Sequence, residues 1–321
     1  MIKLFFKTAI YHLQKNKFHS FLNIGGLALG LVAFLYIVTY TFHELSYDSF
    51  HSKADRISRC VAHIKLGETA LHIPRSETPL AAAAKNDFPE VEEAIRLSPL
   101  TEITTHYKDN KFIESEICYA DVELFDVFDF KLLEGNPQTA LRESNTIVLG
   151  KEVAFKYFGD ENPLGKMLLF DDSKTFKIAG VIKDPPSNTH FDDDIFAPIS
   201  DFNDVFPDDE WHNNYFSSYV LLNKNSQIKD AEDGITELYL KKMESDDRET
   251  KIILQNLQEQ HFAQSQLSKQ NIYLFLAIGV FILILACINY MNLNTAKYIK
   301  RTKEIGIRKI VGAHRFQLIR Q

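Results

Sequence analysis

FLNIGGLALGLVAFLYIVTYTF, residues 21–42, contains no Asp, Glu, Lys, Arg or His. As a helix rising 1.5 Å per residue it is about 33 Å long, enough to cross the hydrocarbon core of a bilayer. A second run, NIYLFLAIGVFILILACINYMNL at residues 271–293, is equally free of these five residue types. In lipid only a helix satisfies the backbone of so long a single stretch, so both runs are predicted to span a membrane. A helix in a soluble core rarely runs to about twenty residues without a charge. A cleaved leader fits the first run poorly, because its apolar stretch exceeds an h-region and no small-x-small site follows before His43-Glu44.

These runs divide a chain of 321 residues, 45% apolar and 25% charged, with three cysteines. Such a balance excludes a disordered tail, a collagen-like fibre and a small disulfide-stapled scaffold. The mean hydropathy is slightly negative, so most of the chain lives in water. Residues 1–20 carry Lys3, Lys7, Lys15 and Lys17 and no acid, whereas residues 294–321 carry eight Lys or Arg against Glu304, a balance of +7. With a total of −7, this leaves −18 on residues 43–293, all of it between the spans. Positive flanks stay in the cytoplasm and long acidic loops are translocated, which puts both termini inside and residues 43–270 outside. An acidic water-soluble bulk also argues against nucleic acid as a partner.

The extracytoplasmic segment mixes short alternating runs with short helical ones, which predicts an α+β fold. Ala54 to Leu66 reads as a strand leaving the membrane, and Thr78 to Asn86 as a helix closed by Phe88-Pro89. Glu93 to Tyr107 and Lys111 to Tyr119 read as strands joined by a turn at Asp109-Asn110. Lys174 to Lys183 reads as a strand whose apolar set includes Phe176, Ile178 and Val181. Pro185-Pro186 breaks any continuous element, Ile228 to Met243 reads as a helix, and Lys251 to Leu257 as a returning strand.

No catalytic constellation emerges, and the expectation is that the chain is not an enzyme. GDENPLGKM at residues 159–167 has a Gly-Lys pair, but five residues separate its glycines and no Ser or Thr follows the lysine, so a turn before a strand is expected. His190 with Asp192, Asp193 and Asp194 offers nitrogen and oxygen ligands, yet a plain Asp run encodes no converging geometry and reads as a solvated acidic loop. His43-Glu44 lacks the second histidine of a zinc hydrolase. Cys60 and Cys118 lie outside the membrane, where oxidation permits a disulfide between them, while Cys287 falls within the second span.

Gly26 and Gly30 form a G-x-x-x-G that would let another helix approach the first span closely. Before it, Ile2, Phe5, Phe6, Ala9, Ile10 and Leu13 recur at helical spacing opposite Lys3, Lys7 and Lys15, which predicts an amphipathic helix on the inner leaflet over residues 1–20. After the second span, residues 296–321 read AKYIKRTKEIGIRKIVGAHRFQLIRQ. A plain basic patch would not demand the order Lys303, Glu304, Ile305, Gly306, Ile307, Arg308, Lys309, Gly312, Ala313.

On this stretch the sequence resembles the FtsX-like permeases of ABC transporters, in the MacB-like branch with a large periplasmic core domain between the first two membrane helices. The resemblance covers nearly the whole chain, through LNIGGLALG (22–30), HELSYDSFHSKADRISR (43–59), LFDVFDFKLLEGNP (124–137), YFGDENPLGK (157–166), AGVIKDPPSNTHF (179–191) and KEIGIRKIVGA (303–313). It implies an inner-membrane, multi-pass permease whose periplasmic domain, residues 43–270, has a porter-like mixed fold with an inserted subdomain. It further implies a separate cytoplasmic ABC ATPase, a second permease copy or half, and a periplasmic adaptor or outer-membrane partner. ATP is then bound by the partner ATPase, since this chain has no nucleotide motif and no cofactor of its own. Residues 294–321 would begin the cytoplasmic coupling segment, with Lys303 to His314 touching the ATPase as a short helix. Family members continue into at least two more membrane helices, so the chain ending at Gln321 is expected to be truncated or completed by another polypeptide. A two-span membrane receptor with an extracytoplasmic ligand-sensing domain has the same topology, but it does not require Glu-Ile-Gly-Ile-Arg-Lys followed by Gly-Ala.

Overall fold

The structure is a computed structural model and describes residues 17–66, 69–100, 102–114, 117–171, 173–202, 207–244, 249–265 and 268–310. The chain forms two compact units, a helical one from its two ends and a body over Ser46–Ser265. The first helix is α1 (Lys17–Leu45). Along the body follow β1 (Ile57–Leu66), β2 (Thr69–Ile73), α2 (Leu80–Asp87), β3 (Val91–Leu100), β4 (Ile103–Tyr107), β5 (Asn110–Glu114), β6 (Ile117–Ala120), α3 (Leu124–Val127) and β7 (Leu132–Gly135). Then come β8 (Thr146–Gly150), α4 (Lys151–Phe158), β9 (Met167–Phe170), β10 (Lys174–Ile182), β11 (Ile195–Pro198), β12 (Ser217–Leu222), α5 (Ile228–Lys242), β13 (Lys251–Asn256) and α6 (Gln260–Gln264).

All thirteen described strands join one sheet, ordered β13-β1-β12-β3-β6-β11-β8-β10-β9-β4-β5, with β2 on β1 and β7 on β10. Its first four strands, taken with α2 and α5, form a β-α-β-β-α-β unit in which each helix links two parallel strands across an antiparallel one. Leu80, Ala81 and Ala84 of α2 and Ala231, Ile235 and Tyr239 of α5 bury against Cys60, Ala62, Val220 and Leu254. Gly234 lets α5 close on Phe88, because a Cβ there would stand 2.5 Å from Phe88 Cε1.

Between β3 and β12 the chain inserts β4 to β11, which extends the same sheet and carries its own core. Val153, Ala154, Tyr157 and Phe158 of α4 pack on Ile147, Leu149, Phe176 and Ile178. Strict alternation would put Val181 on the opposite face from Phe176 and Ile178. A register shift between Ile178 and Gly180 turns Val181 inward, and all three are buried.

Three expectations need correcting. Glu93 to Tyr107 is two strands: β3 pairs with β12 and β6, whereas β4 pairs with β5 and β9. Lys111 to Tyr119 divides likewise into β5 and β6, because apolar alternation runs on through a change of partners. The hairpin turn is Lys108-Asp109, with Tyr107 opposite Asn110 and Lys108 at φ 55°, one residue earlier than composition suggests. Cys60 and Cys118 are free and buried. They lie on β1 and β6, three strand spacings apart, or about 14 Å, far beyond disulfide reach. Burial, with Glu77 nearby, pushes the Cys60 thiol up to about 12.

In the helical unit α1 packs on α7 (Lys269–Ile310). Both contain a stretch long and apolar enough to cross a membrane, Ser20–Leu45 and Lys269–Leu293. Phe21, Leu29, Tyr36, Tyr273 and Phe281 stand more than half exposed, as lipid-facing side chains do and core side chains do not. Cys287 is exposed as well. The amphipathic stretch expected before the first span lies, up to residue 16, outside the described residues.

Candidate functional site

The chain leaves α1 and enters the body through SYDSFHSK, residues 46–53, and this segment is held by side chains distant in sequence. Asp48 adopts φ 56°, a left-handed conformation that Asp tolerates better than most residues. Its carboxylate accepts from Thr189 Oγ1 at 2.7 Å and from the His190 backbone N–H at 3.1 Å, and stands 2.9 Å from His190 Nδ1. Asn188 donates through Nδ2 to Ser46 O and Oγ at 2.9 and 2.8 Å, and its carbonyl accepts from the Asp48 N–H. Asp129 N–H donates to His51 Nδ1 at 3.0 Å, the Asp129 carboxylate accepts from Ser52 N–H, and Lys53 Nζ donates to Asp126 O at 2.6 Å.

Three of the six sequence blocks, around residues 46–53, 124–130 and 188–191, therefore converge on one place. Phe128, Phe130 and Phe191 surround the His51 ring at centroid distances of 5.1, 5.6 and 5.8 Å. Burial drives the His51 pKa down to about 4 and keeps the ring neutral; Nδ1 already accepts a backbone proton, and Nε2 is buried without a hydrogen-bond partner. Burial alone would raise the Asp48 carboxyl, but the hydrogen bonds and charge from His190, together with Thr189, outweigh it and hold the group below the usual range.

The same segment is tied to the stretch that leads toward α7. Tyr47 stacks on His261 with centroids 3.6 Å apart. Asn256 Nδ2 donates to the carbonyls of Ala54 and Asp55 at 3.2 and 3.1 Å, while its Oδ1 caps the following turn at Gln258. Tyr219 OH lies 3.0 Å from His190 Nε2 and donates to Gln260 Oε1 at 3.3 Å. Exit and return segments are thus joined by two direct contacts and by one path relayed through Tyr219, His190 and Asp48.

Sequence reasoning found the blocks but not this junction, since nothing in a single sequence pairs residue 48 with residue 190. His190 turns toward Asp48 and Tyr219 rather than toward Asp192–Asp194. Among the described residues no group of three or more His, Cys, Asp or Glu is placed to hold a metal. The 159–166 stretch is a turn whose inner edge is consumed by the sheet: Gly165 N–H donates to Ile178 O at 2.8 Å, and Lys166 O accepts from Ile178 N–H at 2.9 Å.

Gly26 faces Asn289, 3.3 Å from where its Cβ would be, and a Cβ at Gly30 would collide with Ala286 Cβ. Lys303, Glu304, Ile305, Gly306, Ile307, Arg308 and Lys309 lie within α7, which runs unbroken from the second apolar stretch to Ile310 instead of starting a separate short helix. Gly306 and Ile307 are exposed. Gly312 and Ala313 lie outside the described residues.

Comparison with known proteins gives a consistent family. The profile of the MacB-like periplasmic core domain matches residues 20–238. The Macrolide export ATP-binding/permease protein MacB of Neisseria meningitidis is 27% identical over 205 residues, covering 62% of this chain and 30% of that protein. The protein of the same name in Marinobacter nauticus is 23% identical over 333 residues, covering 98% of this chain and 49% of that one. The chain thus spans about a third to a half of the length of these relatives. A domain of a putative permease from Porphyromonas gingivalis superposes with a TM-score of 0.55 at 23% identity, covering 64% of this chain and 94% of that one, and shares its fold.

Proposed function

The chain belongs to the MacB-like periplasmic core domain family, and from that membership we infer that it is a permease subunit, or the N-terminal part of one, of a MacB-like ABC transporter. Its two membrane-spanning helices flank the periplasmic domain, with both termini in the cytoplasm. A separate cytoplasmic ATPase hydrolyses ATP, and this chain converts the resulting movement into a change of shape outside the membrane, for export or envelope signalling. A second permease copy or half completes the machine.

The observation that carries this reading is the junction of residues 46–55 with residues 188–191 and 256–261. A body clamped at both of its chain connections responds as a whole when either connection is pulled. The cytoplasmic end of α7 supplies the lever, with Ile307 and Ile310 available to enter a groove and Arg308 and Lys309 to meet acidic residues on the ATPase. Co-purification of the full chain with an ABC ATPase tests it. The double variant Arg308→Glu, Lys309→Glu is expected to lose most of the bound ATPase while inserting normally into membrane. Undiminished ATPase binding by that variant removes the coupling role from α7.

A further inference from the structure

We propose that His63 and His72 form a two-imidazole site for a divalent transition-metal ion of the zinc or copper class, on the face of the sheet opposite α2 and α5. The two residues stand directly opposite each other in the antiparallel β1–β2 register. Their ring centroids are 4.5 Å apart with planes at 89°. His63 Nδ1 is buried and has no hydrogen-bond partner, an uncommon state for a ring nitrogen within a sheet. His72 is exposed, so its ring can turn about χ2 toward a shared ion without displacing packed atoms.

Alternation along β1 sets where the pair points. Cys60, Ala62 and Ile64 pack beneath α2 and α5, so His63 and its partner project from the opposite side. Neutral imidazole suits zinc, copper and nickel, whereas magnesium and calcium require oxygen ligands that this pair does not offer. The charged neighbours are Lys251, opposite His63 on β13, and Lys65, paired with Glu249 at 3.3 Å. Lys251 adds positive charge, so affinity rests on the two nitrogen bonds rather than on the local field. With two protein ligands the remaining positions stay with water, and the ion exchanges readily. Because among the described residues β2 pairs with β1 alone, a bound ion staples an otherwise single-sided strand to the sheet.

Zinc titration of the full chain in detergent micelles, followed by calorimetry and thermal melting, tests the site, with Cu²⁺ electron paramagnetic resonance counting the bound nitrogens. The full chain is expected to bind zinc and melt higher with it, and its copper spectrum to report two imidazoles. His72→Asn, a change at an exposed ring, should leave the metal-free melting temperature in place, weaken zinc binding about tenfold or more and reduce the copper signal to one imidazole. Identical zinc isotherms and copper spectra for His72→Asn and the unaltered chain would overturn the proposal.

Discussion

His51 shows how one residue can make a junction of distant segments sensitive to acid. Unfolded, its ring takes up a proton near pH 6.5; folded, it does so only near pH 4. Through that window the unfolded chain binds more protons, so stability is at its full value above pH 6.5 and falls by about 3 kcal/mol as the pH drops to 4. Asp48, whose carboxyl is held low, contributes a separate loss only at still lower pH. His51→Phe is expected to flatten the slope between pH 6.5 and 4 while losing about 1 kcal/mol at neutral pH, because Asp129 N–H loses its acceptor. Denaturant unfolding of both forms across that range measures it, and parallel slopes would contradict it. None of this was legible beforehand: His51 looks like one polar residue in a loop until three phenylalanines from two distant blocks close around it.

At the level of elements, legibility followed the physics of each signal. The apolar helices, α2 with its four alanines and α5 were readable because helical periodicity and breakers are local. The strands of the insertion were harder, since alternation reports which face is buried but not which partner lies alongside; β3 and β4 thus read as one strand. A bulge in β10 explains why Val181 belongs with Phe176 despite the wrong parity. The helix pair gives a prediction at this scale. Gly30→Leu should separate α1 from α7, because its first carbon already meets Ala286. Cysteines introduced by Ile37→Cys and Gly279→Cys, where the contact is 3.1 Å from the glycine's missing Cβ, should cross-link efficiently in membranes, and the added Gly30→Leu change should cut that yield several-fold. Undiminished cross-linking would mean that the helices tolerate the bulk.

For the whole molecule, three links between residues 46–55 and 256–261, two of them direct and one relayed through Tyr219 and His190, make the body's two chain connections one mechanical object. Removing two of them by Tyr219→Phe and Asn256→Ala is expected to raise amide hydrogen exchange in residues 46–53 and 257–264 together, leaving α4 and β8 protected. Exchange that rises on one side only would show the connections to be independent. The family and the α+β class were open to the sequence because they rest on ordered blocks and patterning. The junction was not, because it depends on contacts that span more than two hundred residues.

The β-α-β-β-α-β half is written in two instalments, with about a hundred residues of insertion between β3 and β12. On the ribosome β1 gains only β2 and β3 only β6 until β12, α5 and β13 follow, whereas the strands of the insertion pair with one another and with β3 as they emerge. The newborn domain must therefore wait, the slot between β1 and β3 still open beyond the translocon, for the final stretch before the second membrane helix. A chaperone of the export route would find its client in that interval.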